Sequence, residues 1–298
     1  MKTTLRSFAI LCLFLLVIRQ AQHTFAQDAI PNNCETASTQ EERAIFARLE
    51  QAGNRLTLVN WETGETVRTL AEGLQGYAIY GWSLDCRYLA IKEGTQTENY
   101  VVVYDVIEGH VLGNVDGDEA KNPRRVIWQP DNYLFIRSRQ GGILWHVPSG
   151  NRYEGVTRVD WSANNQYALL RTKQGYFIFE PETGKQTLLV YSLYDDDTHF
   201  IKTHYALFWD LERGQLIIDA WGGALIFDIA TGQEITFLDY RLRNYNNDYN
   251  NGCSFWGCRF EMNDNNTIDV IGHVGTLTFD YDTFELLSIS PYGAVRKR

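Results

Sequence analysis

The side chains of this chain that could do chemistry sit in a few polar stretches. "YDDDTHFIKTH", beginning at Tyr194, brings Asp195, Asp196, Asp197, His199 and His204 close together in sequence. Such oxygen and imidazole donors could approach a divalent cation, but the same spacing describes a solvated acidic loop. "NVDGDEAKNPRR" opens like an EF-hand loop with Asn114, Asp116 and Asp118, then departs from it. The positions that need glycine and a bidentate glutamate hold Glu119 and Arg125. No metal and no cofactor is assigned on these grounds.

Nucleophilic chemistry finds no better footing. "GCSFWG" misses the Gly-x-Ser-x-Gly elbow by one position. Paired carboxylates for glycoside hydrolysis would come from separate segments and leave no local spacing to read. Hence no catalytic residue is assigned. The candidate ligand-binding residues are Tyr194, Asp195, Asp196, Asp197, His199, Tyr245, Tyr249 and Trp256. Their rings can stack and their carboxylates accept hydrogen bonds, which suits a glycan or a cationic peptide; the asparagine-rich stretch around Tyr245 is equally the composition of an idle turn.

The N-terminus bounds where this chemistry would operate. Lys2 and Arg6 precede an apolar run from Phe8 to Ile18 and a small-residue pattern ending at Ala26, the plan of a signal peptide over residues 1–26. The run is shorter than the ~20 residues that cross a bilayer. The chain carries 27 basic and 37 acidic side chains, and cleavage removes Lys2, Arg6 and Arg19, leaving 24 basic and a net charge of −13. An acidic protein of this kind repels phosphate backbones and anionic membrane surfaces, so neither nucleic acid nor membrane insertion is expected. The expected localisation is secreted or periplasmic. Cys34, Cys86, Cys253 and Cys258 remain, an even number that suggests disulfides in an exported chain. Cys253 and Cys258 enclose a short loop and are expected to pair, which leaves Cys34 with Cys86. Asn265-Asn266-Thr267 is a glycosylation sequon, relevant only in a eukaryotic secretory pathway.

The elements that must position these residues are strands. A hairpin recurs six times: "VNWETGETV" from Val59, "VYDVIEGHVL" from Val103, "LWHVPSGNRY" from Leu144, "IFEPETGKQT" from Ile178, "IFDIATGQEI" from Ile226 and "TFDYDTFELL" from Thr278. Gly64, Gly109, Gly150, Gly184 and Gly232 hold the turn position and Phe284 holds the sixth, so the last turn is expected to differ in conformation. The steps of 45, 41, 34, 48 and 52 residues bracket the repeat of a four-stranded propeller blade. Five hairpins follow an aromatic, a polar turn and an apolar strand: "GWSLDCRYLAI", "IWQPDNYLFI", "DWSANNQYALL", "FWDLERGQLII" and "RFEMNDNNTIDVI". In the second copy this predicts strands at 77–82, 87–92, 100–105 and 110–115. The first copy has room for three strands and lacks its innermost.

"WSLDCRYLA" followed by "VVVYDVIEG" resembles the WD40-like β-propeller repeats of exported bacterial proteins, whose usual form places glycine where Cys86 stands. The resemblance spans nearly all of the mature chain. It implies an all-β fold, a single β-propeller of six blades of mainly four antiparallel strands, over residues 44–298 after an extended segment at 27–43. It is nearly silent on activity. The expected function is a noncatalytic binding or scaffold module for a protein, peptide or glycan; the alternative is a propeller glycosidase or lyase with carboxylates at the central channel. Residues 292–296 are expected beside the strand at 44–50, closing the ring, unless they form a loose tail. The long connections at 116–124, 192–200 and 241–255 should share one face, opposite the short hairpins.

Overall fold

The computed structural model describes residues 45–50, 54–60, 63–75, 78–95, 98–115, 121–189, 206–220, 223–239, 259–272 and 275–291. The expected signal peptide, the segment 27–43 and the ring-closing residues 292–296 lie outside them. Among the described residues, none forms a helix long and apolar enough to cross a membrane. The chain divides into two compact units, Met1–Thr157 and Arg158–Arg298.

The first unit contains three antiparallel sheets. Sheet 1 has strands β1 (Ile45–Glu50), β2 (Arg55–Asn60) and β3 (Thr66–Ala71). Sheet 2 has β4 (Ala78–Trp82), β5 (Tyr88–Gly94), β6 (Asn99–Asp105) and β7 (His110–Val115), close to the strands that the sequence predicts. Sheet 3 has β8 (Arg125–Trp128), β9 (Tyr133–Arg137), β10 (Gly142–His146) and β11 (Asn151–Glu154). The second unit contains sheet 4, with β12 (Arg158–Trp161), β13 (Ala168–Arg171), β14 (Tyr176–Glu180) and β15 (Lys185–Leu188). Sheet 5 has β16 (Leu207–Asp210), β17 (Gln215–Ala220), β18 (Gly223–Asp228) and β19 (Glu234–Asp239). Sheet 6 has β20 (Arg259–Asn263), β21 (Thr267–Ile271), β22 (Gly275–Asp280) and β23 (Leu286–Pro291). In every sheet, strands follow one another in chain order. The protein is therefore all-β, with one three-stranded and five four-stranded sheets among the described residues, and the three-stranded one is the first copy.

Period-two alternation explains why the middle strands are apolar on both sides. In sheet 2, Leu89, Ile91, Val102 and Tyr104 pack on Leu56 and Leu58 of sheet 1. The intervening Tyr88, Ala90, Val101 and Val103 pack on Leu134, Ile136, Ile143 and Trp145 of sheet 3. A strand buried on both faces has no polar side to display, so "YVVVY" reads as a continuous apolar run. In the second unit, Leu216, Ile218, Leu225 and Phe227 of sheet 5 meet Leu169 and Ile178 of sheet 4. Ile217, Ala224 and Ile226 meet Ile268, Val270, Leu277 and Phe279 of sheet 6. Each such valine, leucine, isoleucine or phenylalanine contributes roughly 1.5–3 kcal/mol by burial. The fourth strands are more exposed, as β7 and β15 show.

The turns obey two local rules. After a first strand, Ser83 accepts the Tyr88 N–H on Oγ at 2.9 Å, and its own hydroxyl donates to Asp85 at 2.5 Å. Ser162 does the same with the Tyr167 N–H and Asn164 at 3.0 and 2.9 Å. In sheets 2, 4, 5 and 6 this turn has one left-handed residue, Cys86 (φ 59°), Asn165 (φ 61°), Gly214 (φ 65°) and Asn266 (φ 61°), and in sheet 3 it has two, Asp131 (φ 54°) and Asn132 (φ 60°). In sheet 2 a cysteine thus takes the left-handed conformation that glycine adopts most easily.

The hairpin turn overturns one expectation. Phe284 does not change the sixth turn: its φ is 58°, beside 70–77° at the five hairpin glycines. The strand register imposes the geometry, since the Asp280 N–H donates to Glu285 O at 2.8 Å as the Asp228 N–H does to Gln233 O at 2.9 Å. The ring offsets the backbone strain by meeting Tyr281 edge-on at 5.8 Å and packing against the core between sheets 5 and 6. Phe284→Ala loses the ring and keeps the strain, whereas Phe284→Gly loses both. We expect the alanine variant to be less stable than the glycine variant by about 1 kcal/mol. Urea unfolding curves that place alanine level with glycine, or above it, would refute this.

Candidate functional site

Every sheet has two edges with different content. One carries the polar turns after first strands and the Thr-Gly type hairpins. The other carries the turn between second and third strands. Within individual sheets, the described ends of the connections lie at this second edge; the interiors of the connections at 192–200 and 241–255 lie outside the described residues. After β7 the chain returns at Lys121, which pairs with Glu98 at 2.9 Å. The Asn122 N–H donates to Asn99 O at 3.0 Å, and Asn99 Nδ2 donates to Asn122 Oδ1 at 2.7 Å, so the connection is tied to the β5–β6 turn. The Val156 N–H reaches Gly142 O at 3.0 Å and the Leu189 N–H reaches Tyr176 O at 2.8 Å, each at the start of its sheet's third strand.

The residues singled out from the sequence largely lie beyond this description. Tyr194, Asp195, Asp196, Asp197, His199, Tyr245, Tyr249 and Trp256 are outside the described residues, as are Cys34, Cys253 and Cys258. Cys86 is described and sits in the polar turn of sheet 2. The EF-hand-like stretch does not begin as a loop: Asn114 is a residue of β7, paired with Val102, and its carbonyl accepts from Arg152 Nη2 at 2.9 Å. Asp116 and Asp118 are outside the described residues.

The first strands of sheets 4, 5 and 6 each carry a carboxylate, and each faces an arginine. Asp160 pairs with Arg158 at 2.7 Å and Glu261 with Arg259 at 2.6 Å, both between side chains two apart on one strand. Asp210, nearly buried, pairs with Arg213 at 3.2 Å. These carboxylates are occupied as hydrogen-bond acceptors.

Among the described residues there is a Ser-His couple. His146 Nδ1 lies 2.7 Å from Ser149 Oγ, and the imidazole stacks on Tyr133 at 4.6 Å. Burial lowers the His146 pKa, against the opposing influence of Asp131. The couple occupies the place where Asp228 accepts from Thr231 at 2.7 Å and Asp280 from Thr283 at 3.0 Å. It is therefore the third sheet's version of a hairpin cap, and the Asn151 N–H donates to Ser149 Oγ at 3.3 Å as the turn requires. In the aspartate versions, threonine's hydroxyl and N–H hold Asp228 below the usual carboxylate range, and Thr283 does the same for Asp280.

The second edge carries a feature that the sequence reading missed. "RSRQG", from Arg137, and "RTKQG", from Arg171, are two copies of one basic turn between second and third strands. Ser138 N–H donates to Gly141 O at 2.8 Å and Thr172 N–H to Gly175 O at 2.8 Å, so both turns are closed alike. The signal was repetition with a conserved charge, hidden beneath a net acidic composition. No protein-family model matches the chain, and no curated protein matches it either.

Proposed function

We propose that residues 44–298 form one six-bladed β-propeller of the WD40-like type found in exported bacterial proteins, following a signal peptide at 1–26 and an extended segment at 27–43. It acts outside the cytoplasm, secreted or periplasmic, as a noncatalytic binding or scaffold module for a protein, peptide or glycan. The observation that carries this reading is the separation of edges. Short hydrogen-bonded hairpins occupy one edge, while the described ends of the long connections are tied to the other. Long connections on a rigid sheet scaffold are where binding residues concentrate. The stacking of sheets face to face within each unit supports the propeller, and the arginine partners of Asp160 and Glu261 support a noncatalytic role.

The test pairs a glycan and peptide array with a polysaccharide panel assayed for product release. Binding without release is expected. Changing Asp195, Asp196, Asp197 and Tyr245 together to alanine should weaken binding of the array's best ligand at least tenfold, with substitutions around Gly64, Gly150 or Gly184 leaving it intact. Catalytic release of product, or the reverse mutational pattern in folded protein, would overturn the proposal.

A further inference from the structure

Sheets 3 and 4 share a register at the second edge but differ in how they treat its charge. In sheet 4, Arg158 opens β12 and stands opposite Arg171, the last residue of β13. In sheet 3, Arg125 opens β8 and stands opposite Arg137, the last residue of β9. Like charges directly across a strand pair repel, so each pair needs a counterweight. Sheet 4 has two. Asp160, two residues along β12, holds Arg158 at 2.7 Å, and the Tyr176 ring lies 5.9 Å from the Arg171 guanidinium.

Sheet 3 has lost both. "RVDW" of β12 becomes "RVIW" in β8, putting Ile127 where the aspartate was, and "RTKQGY" becomes "RSRQGG", putting Gly142 where the ring was. A side chain cannot be added back at Gly142, because a Cβ there would lie 2.2 Å from Val156 O. Two further arginines join the pair. The Arg124 N–H donates to Arg137 O at 2.7 Å, and Arg139 projects from the turn that Ser138 and Gly141 close. Arg124, Arg125, Arg137 and Arg139 are all exposed, and none forms an ion pair among the described residues. Four unneutralised guanidinium groups on a backbone held by hydrogen bonds, in a protein of strong net negative charge, are organised for an anion from outside.

We infer that the second edge of sheet 3 binds a short acidic oligosaccharide through Arg124, Arg125, Arg137 and Arg139, with guanidinium groups gripping uronate carboxylates. This rests on the reading of the chain as an exported binding module and adds to it an anion site on residues other than Asp195, Asp196, Asp197 and Tyr245. A short uronate run can stay on the cluster. A long phosphodiester chain would extend beyond the cluster and meet a protein of net negative charge, with repulsion felt within about 10 Å at 0.1 M salt.

The probe is tetragalacturonate, titrated calorimetrically into the full mature chain at 0.1 M salt, beside maltotetraose and a long single strand of DNA. Wild-type protein should bind tetragalacturonate, with affinity falling as salt rises, at least tenfold more tightly than either control. Arg125→Gln with Arg137→Gln should weaken that binding at least tenfold, and the double lysine variant should fall between, keeping the charge but losing the bidentate grip. The melting temperature of the glutamine variant should match or exceed that of wild type, because a repulsion has been removed. Lys185→Gln, on sheet 4, should change binding less than twofold. Three results would overturn the inference: no tetragalacturonate binding by wild type, equal binding by the glutamine variant, or tighter binding of the DNA strand. Should the array identify another ligand while tetragalacturonate fails to bind, the inference falls and the module reading stands; release of cleaved product would count against that reading separately.

Discussion

Asp105→Ala should lower the unfolding free energy by about 3 kcal/mol, the cost expected when one partner of a buried, hydrogen-bonded ion pair is removed. The Asp105 side chain is 2% exposed, and it accepts from Arg87 Nη2 at 2.9 Å and from the Ile107 and Glu108 N–H groups at 3.0 Å each. Arg87 is 44% exposed and can recover water, so the low end of the range applies. The stranded N–H groups of the hairpin account for much of the loss. Asp280→Ala is a useful contrast, since the Asp282 and Thr283 N–H groups that donate to it face solvent and can hydrate; it should cost clearly less than Asp105→Ala. Burial alone would raise the Asp105 pKa, but hydrogen bonds from Glu108, Arg87 and Ile107 outweigh it and hold the carboxyl below its ordinary value. A group depressed in the folded state contributes fully above the ordinary carboxylate range and loses that contribution as pH falls through the folded value. Stability should therefore decline below about pH 4, and less steeply in Asp105→Asn. Urea midpoints for the three variants between pH 3 and 7 check this; an unchanged midpoint for Asp105→Ala at pH 7 would refute it.

The second large effect concerns the cysteines. We propose that Cys34 pairs with Cys86, so that the extended segment after the signal peptide is pinned to the polar turn of sheet 2. Cys86 has no free thiol to titrate, which supports an oxidised pair, and it is the only cysteine among the described residues. A cross-link closing a loop of this size removes unfolded-state entropy worth about 4 kcal/mol in the chain-entropy picture, and measured values often run lower. Cys86→Ser should accordingly cost about 2–4 kcal/mol. Reductant should lower the melting temperature of the wild type and leave that of the variant unmoved. Mass spectrometry of unreduced peptides should recover the 34–86 link, and a free Cys34 or a 34–253 link would refute the pairing.

Much of the architecture was legible before any coordinates, for local reasons. The four strands of sheet 2 fall within two residues of where the sequence puts them, because period-two burial and turn chemistry are properties of neighbouring residues. The three-strand first copy was legible for the same reason. The edge that receives the connections follows from strand parity alone. What the sequence did not disclose depends on which distant backbone stands opposite. Phe284 looked like a break in the glycine pattern, yet the hydrogen bond between Asp280 and Glu285 requires a left-handed residue there whatever its side chain. Arg125 and Arg137 are twelve positions apart in the chain, and only the antiparallel register sets them face to face. Ile127 and Gly142 are ordinary residues in a linear reading. Tertiary structure turns them into the missing partners of two arginines, because an ion pair or a ring contact depends on spatial register and not on composition.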